Sequence, residues 1–395
     1  MTPSRGGSSL PRSPDRLPGG EPAGQRGTAL VRGCGLAALA IVLVLLASRA
    51  AQRPGIDFAV FHRAGARFLA GADLYGPVGA DFPYRYAPGV AAFFAPFALL
   101  PFAVAKAAWA ACSATMAFAA ALLLDRRVGS RAALAVPLAW ACLVQPVAQE
   151  LAHGQVDLLV LLLVLAAFLA EDRGWDVGAG ALLAAAVALK VAPAVLAVDW
   201  VVRRRWRAIA GCAAGALALA IALVPSFGIA GALQQHVRWM TTQAADAPTM
   251  IGTIGNQSAW AWSRSVGLGA LGGAVACLGI VAAMVSERAS WRRRSLLLAS
   301  VPLISAYGWP QLFVLAVPLL SGVIAARGGA AWIAGAAAAT VTLASYDVAG
   351  PRVEGWTQAH RLLGLLLLVV LAAGRCGTPR AERRAPRHGD HEPAR

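Results

Sequence analysis

Apolar residues arrive along this chain in long runs with few charges inside them. The alternating or three-to-four spacing of a half-buried element is not the dominant pattern. A first run covers residues 31–48. Later runs fall near 89–100, 103–124, 132–147, 155–170, 178–202, 207–226, 265–285, 295–306, 310–325, 329–347 and 358–374. A helix of such length crosses the hydrocarbon core with its backbone polar groups satisfied internally. The pattern predicts an all-α chain, a polytopic transmembrane helical bundle of roughly ten spans with no room for a sizeable soluble domain.

Residues 1–28 are rich in Pro, Gly, Ser and Arg and read as a disordered basic N-terminal tail; residues 375–395 read as a similar C-terminal tail. The transmembrane domain then covers 29–374. The first run resembles a signal peptide in its basic flank, but its length and the long segment before it predict a retained first helix.

Composition agrees with this reading: 58% of residues are hydrophobic and 14% charged, against about 25% charged in an ordinary soluble domain. The net charge of +16 would suggest nucleic acid in a soluble protein. Here the arginines lie in short segments between apolar runs, so they report topology, and no nucleic-acid partner is expected. The basic segments are the N-terminal tail, Arg126-Arg127-Arg131, Arg203-Arg204-Arg205-Arg207 and Arg288-Arg292-Arg293-Arg294. Placing them on the cytoplasmic side puts both termini inside. The count closes only if 89–100 and 178–202 are not ordinary crossings. Pro101 breaks the first, and Lys190 with Pro193 breaks the second, so half-helices or re-entrant pairs lining a cavity are predicted there. The outer loops become 51–88, 148–154, 227–263, 307–311 and 348–357. They collect Asp57, His62, Arg85, His153, Gln155, Asn256, Arg264 and Gln311 on one outward face.

Several chemistries lack a signature. The six cysteines have no CxxC spacing and read as small buried hydrophobes. Neither GxxxxGK[ST], HExxH nor GxSxG occurs, so nucleotide-driven pumping, metal hydrolysis and serine chemistry have no positive support; no metal ligands are assigned.

Five groups of residues carry candidate chemistry, each with a plainer alternative. Asp57, directly after the first span, is a general base if partly desolvated, or else a helix-terminal charge. Pro83-Tyr84-Arg85-Tyr86-Ala87-Pro88 supplies interfacial anchors, or a sugar and phosphate contact. In His153-Gly154-Gln155-Val156-Asp157 the aspartate enters an apolar helix, where it is functional or merely favoured by the helix N-terminus. Lys190, one of only two lysines, sits mid-run and faces a cavity or an anion, or pairs with Asp157. Asn256, the only asparagine, stands in Gly255-Asn256-Gln257-Ser258 ahead of Arg264, a set able to hydrogen-bond carbohydrate and pair with phosphate. His236 and Arg238 read as surface residues.

In order, these patterns resemble the polyprenol-phosphate-mannose-dependent mannosyltransferases of glycosyltransferase family 87, membrane enzymes of GT-C type. The resemblance runs over residues 50–320. It rests on Asp57-Phe58, Ala72-Asp73-Leu74-Tyr75, Tyr84-Arg85-Tyr86-Ala87-Pro88, Pro96-Phe97, Leu100-Pro101 and Trp109. It continues through Gly154-Gln155-Val156, Ala188-Leu189-Lys190 with Pro193, the basic run 203–207, and Asn256-Gln257-Ser258 with Arg264. It implies a GT-C bundle whose outer-face loops form the site, in the inner membrane of a bacterial cell. The implied reaction transfers a sugar, typically mannose, from a polyprenyl-phosphate-linked donor to a glycan or glycolipid hydroxyl. Asp57 would be the catalytic base. Lys190, Arg85 and Arg264 would neutralise the donor phosphate, and Tyr86, His153, Gln155, Asp157, Asn256 and Gln257 would orient sugar or acceptor. Two departures bear on specificity. The family's Pro-x-Ser-Trp and following His pair are replaced by Pro302-Leu303-Ile304-Ser305-Ala306-Tyr307-Gly308-Trp309-Pro310-Gln311, and its Gly-Gln-Val-Asn reads Gly154-Gln155-Val156-Asp157. A lipid-linked sugar transporter or flippase is the main alternative, although no internal repeat relates the two halves; a non-catalytic envelope assembly protein is another. Sugar, acceptor, prenyl length, divalent metal, protein partners and the choice of Asp57 over Asp73, Asp81 or Asp157 stay open at this level.

Overall fold

The computed structural model describes residues 23–77, 82–129, 132–253 and 255–326. Among these residues all regular structure is helical. The runs predicted at 329–347 and 358–374, the loop 348–357, Asp81, residues 1–22 and the C-terminal tail lie outside them.

Helix α1 (Ala23–Ala51) begins inside the segment expected to be a tail. The first predicted outer loop holds α2 (Ile56–Leu69), whose Phe58, Phe61, Ala64 and Gly65 recur at helical spacing and are buried. The predicted half-helix is α3 (Pro88–Ala98), opened by Pro88; Pro101 then caps α4 (Phe102–Val128). The 132–147 run divides into α5 (Ala135–Cys142) and α6 (Val144–His153), and α6 occupies the loop expected at 148–154. After a turn at Gly154 comes α7 (Asp157–Asp172). The interruption predicted within 178–202 is present. Helix α8 (Asp176–Leu189) stops where Lys190 is extended, at φ −146° and ψ 125°, Pro193 lies in a 3₁₀ turn, and α9 (Val195–Val202) follows.

Helix α10 (Trp206–Ile221) leads into α11 (Val224–Ile251) and α12 (Ala259–Ser265). The outer loop predicted at 227–263 is therefore mostly helix. A search for long apolar runs passes over α11 because its polar residues lie on one face, where folding satisfies them. The remaining elements are α13 (Gly269–Val285), α14 (Ser290–Ile304), a 3₁₀ turn (Pro310–Ala316) and α15 (Val317–Ala325).

Only α1 and α4, among the described residues, are long and apolar enough to cross a bilayer alone. Two more pairs meet that test jointly, α6 with α7 bent by 115° and α10 with α11 bent by 111°. The other runs are apolar helices of 10–17 residues, cut short by the proline, glycine and polar breaks within them. The described residues thus hold two spans alone, or four with the bent pairs, of the roughly ten expected over the whole chain.

Helix α7 is central, burying Leu158, Leu161, Val164, Leu165 and Phe168, and α14 is buried without interruption from Arg293 to Leu303. Helices α8 and α10 meet through small residues: a Cβ on Gly180 would lie 2.0 Å from the Ala208 carbonyl, and one on Gly211 2.2 Å from that of Val177. Such close backbone approach suits helices in lipid, where packing and not apolar burial drives association.

The distal end of α7 is tied down by ion pairs. Arg294 reaches Glu171 at 3.2 Å and Asp172 at 2.7 Å, while Arg205 contacts Glu171 and Asp176. Asp199 receives Arg293 at 2.7 Å and Arg203 at 2.9 Å, and the Trp200 indole donates to Glu171. The loop arginines predicted at 292–294 thus lie in α14, with Arg293 and Arg294 buried. The guanidinium is tolerated there because its fork meets several acceptors: two carboxylates for Arg294, and Asp199 with the Glu287 and Arg288 carbonyls for Arg293.

Candidate active site

At its proximal end α7 is held differently. Asp57 lies in the first turn of α2, behind Gly55, so it is not the capping residue of that helix. Its carboxylate is 29% exposed. The Gln155 amide donates to it, and the Gln155 oxygen accepts from the Tyr86 hydroxyl at 3.2 Å. His153 Nδ1 stands 3.8 Å from Asp57 Oδ2. Burial pushes the Asp57 carboxyl above the ordinary carboxylate range; His153, the Gln155 hydrogen bond and Lys190 pull it back, and Asp157 adds to the rise. Burial, reinforced by the negative charges of Asp57 and Asp157, also lifts the Tyr86 hydroxyl well above its usual range, so it stays a neutral donor.

Local structure explains this convergence. Gly154 ends α6 in the left-handed conformation, φ 72°, where a Cβ would also fall 2.6 Å from that of Phe58. The Trp109 indole donates to the carbonyls of Gly154 and Gln155 at 3.1 and 3.2 Å and fixes the turn. Beneath Asp57, Phe58 packs on Trp109, Phe94 and Phe97, and Phe61 stacks on Phe94 with centroids 4.4 Å apart and touches Tyr86. This aromatic floor locks α2 to α3 and α4.

Behind Asp57 lie Asp157 and Glu150, both without solvent exposure. Lys190 Nζ is 3.1 Å from Asp157 Oδ1, which is the plainer of the two alternatives for this lysine. Glu150 Oε1 accepts from the Leu158 backbone at 3.1 Å, while its Oε2 has no hydrogen-bond partner among the described residues. Sequence reasoning passed over Glu150; its signal was that it and Asp157 are the two carboxylates inside the stretch 132–170, Glu150 one helical turn before His153.

The other predicted residues form a second group, on the far side of the 82–87 segment. Arg85 Nε pairs with Asp246 Oδ2 at 2.6 Å. Its carbonyl accepts from Trp239 and from Gln243 at 3.2 and 2.8 Å, and the Tyr307 hydroxyl donates to Gln243. Asn256 is buried and wholly engaged with backbone: its amide donates to Met250 and Ala306, and its oxygen accepts from Ser258 and Gly308. It joins the 252–258 segment to the one at 305–309. Gln257 donates to the Gly255 carbonyl, leaving its own buried oxygen without a partner among the described residues. Arg264 is exposed and donates to the Pro248 carbonyl, with no carboxylate at ion-pair distance among the described residues. His62 lies apart, bonded to the Leu100 carbonyl, and Gln311 is buried in the 3₁₀ turn.

Of the rival carboxylates, Asp73 pairs with Arg238 and accepts from the Tyr75 backbone, and Asp157 is sealed from solvent. Asp57 and Asp73 are equally exposed, but Asp57 is the one that sits against Gln155 and His153 and lacks an arginine at ion-pair distance among the described residues. Among the described residues no three His, Cys, Asp or Glu side chains are grouped to hold a metal ion.

The sequence profile of glycosyltransferase family 87 matches residues 84–318. A polyprenol-phosphate-mannose-dependent alpha-(1-2)-phosphatidylinositol pentamannoside mannosyltransferase of Mycolicibacterium smegmatis is 28% identical over 297 residues, 67% of this chain and 70% of that protein. Two polyprenol-phosphate-mannose-dependent alpha-(1-2)-phosphatidylinositol mannoside mannosyltransferases are similar over shorter stretches. The one from M. smegmatis is 29% identical over 42% of this chain and 43% of its own length; that from Mycobacterium tuberculosis is 26% identical over 47% and 45%. No solved structure matches the chain.

Proposed function

The chain belongs to glycosyltransferase family 87 and is a membrane glycosyltransferase, and on that premise we propose that it transfers mannose from a polyprenyl-phosphate-linked donor to a hydroxyl of a phosphatidylinositol-mannoside-like glycolipid. The donor and acceptor class are those in the names of the three similar enzymes. The observation that carries the reading is Asp57, a part-exposed carboxylate beside the sealed acids Asp157 and Glu150, hydrogen-bonded by Gln155 and 3.8 Å from His153.

Asp57 takes the acceptor hydroxyl's proton as that oxygen attacks the anomeric carbon. The bond from this carbon to the phosphate oxygen breaks, polyprenyl phosphate leaves, and a single displacement inverts the anomeric centre. Tyr86 and Gln155 hold the Asp57 carboxylate in line, and His153 lies beside the incoming sugar. Arg264 is the first candidate for the donor phosphate because no carboxylate among the described residues neutralises it. Arg85 and Lys190 already share their charge with Asp246 and Asp157, which limits what each offers a phosphate. Asn256 and Gln257 act by shaping the loop behind Arg264. The reaction faces outward: the arginines at the distal end of α7 mark the cytoplasmic side, and Asp157 is about 22 Å from Asp172 along the helix.

The test is transfer of radiolabelled mannose from polyprenol-phosphate-mannose to phosphatidylinositol mannosides by the purified protein in liposomes. Labelled glycolipid is the expected product. Transfer from another polyprenyl-phosphate sugar, with none from the mannosyl donor, overturns the sugar assignment.

A further inference from the structure

Helix α11 has two faces that face different surroundings. On one, Gln235 accepts from the Leu74 backbone, Arg238 pairs with Asp73, Trp239 and Gln243 donate to the Arg85 carbonyl, and Asp246 pairs with Arg85. This face clasps Asp73, Leu74 and Arg85, the last adjoining Tyr86 of the candidate site. On the other, Ile229, Leu233, Val237 and Met240 recur at steps of four, four and three residues and are 54–72% exposed. At about 100° per residue they form one stripe, turned away from the clasping face by roughly 140°. The stripe continues the exposed Leu217 and Ile221 of α10, and the two helices meet at 111°. That bend lies at residues 222–223, and Gly228, with φ 66° and ψ 175°, kinks α11 itself just ahead of the stripe.

We infer that α11 is an interfacial helix that lies along the phospholipid surface, with the Ile229–Met240 stripe in the acyl boundary and the opposite face holding Asp73, Leu74 and Arg85 beside the site. Its composition forbids an ordinary crossing: Gln234, Gln235, His236, Arg238, Gln243 and Asp246 fall within thirteen residues. Water is a poor neighbour for a contiguous apolar stripe of this length. The near-perpendicular joint supplies the geometry, since a helix leaving α10 at 111° runs along the surface that α10 enters. The position of the Arg85–Tyr86 segment is thereby coupled to the bilayer surface and not only to protein packing.

The inference is independent of the sugar and acceptor assigned above. It is tested by spin-labelling Ile229→Cys, Leu233→Cys, Val237→Cys and Met240→Cys singly, in a chain whose six native cysteines are replaced and whose folding is checked by thermal unfolding. Depth is read in phospholipid nanodiscs from the accessibility of each label to oxygen and to a water-soluble nickel chelate. All four labels at one shallow depth within the lipid phase is the expected result. A steady progression of about 16 Å from residue 229 to residue 240, as in a spanning helix, overturns it. Labels as accessible to nickel as a water-exposed control overturn it equally.

Discussion

The two ends of α7 both carry buried acids, yet they are paired in opposite ways. At the distal end Glu171, Asp172, Asp176 and Asp199 face Arg203, Arg205, Arg293 and Arg294, so the carboxylates there have guanidinium partners. At the proximal end Asp57, Glu150 and Asp157 share one ammonium, that of Lys190, with His153 alongside. A balanced buried network costs desolvation and returns it in fixed geometry; removing one partner leaves a stranded charge. A proximal acid left without a full countercharge and open to solvent is poised to accept a proton. Same helix, same residue types: pairing and access separate a structural cluster from a chemical one.

The comparison can be broken at either end. Asp57→Asn removes the proposed base without changing shape and should lower transfer by about 10²–10⁴-fold, with thermal unfolding unchanged. Arg294→Met removes the buried guanidinium that Glu171 and Asp172 share, leaving Arg205 and Arg127 with them, and should lower stability by about 1.5–3 kcal/mol, read by thermal unfolding, while transfer per folded molecule is retained. Gly154→Ala should cost roughly 1–2 kcal/mol for the left-handed backbone, before the contact with Phe58, and should depress stability and rate together, because the turn it strains carries Gln155.

The smallest effect is in pH. The base works only when ionised and its proton affinity is raised by burial, so activity should fall on acidification at a higher pH than an ordinary carboxylate would give. Gln155→Leu deletes a hydrogen bond that favours the ionised form. The acid limb of its pH–rate profile should therefore move further upward, whereas a limb unmoved by this change would detach it from Asp57.

Much of this was legible in the sequence, for physical reasons that can be named. Proline and an intramembrane lysine are costly inside a helix, and the breaks expected at Pro101 and at Lys190–Pro193 are where α3 and α8 end. The ordered motifs also named six residues that fold into one group: Asp57, Tyr86, His153, Gln155, Asp157 and Lys190. Amphipathic helices were not legible. Both α2 and α11 lie in segments too polar to register as spans, and the polar face of α11 is satisfied by segments distant in sequence, as Gln235 is by Leu74. Nor was the pairing of charges: local sequence does not tell a loop arginine from Arg294, which finds its acids more than a hundred residues away. The same limit hid the Arg85–Asp246 pair and the backbone engagement of Asn256.

The central claim, that Asp57 is the accessible base, is tested most directly by replacing it with a residue that leaves room for a small acid. Mannose transfer by Asp57→Gly in liposomes should fall at least about 100-fold and be partly restored by added formate, which can occupy the space and accept the proton. Transfer at the wild-type rate without formate would contradict the account.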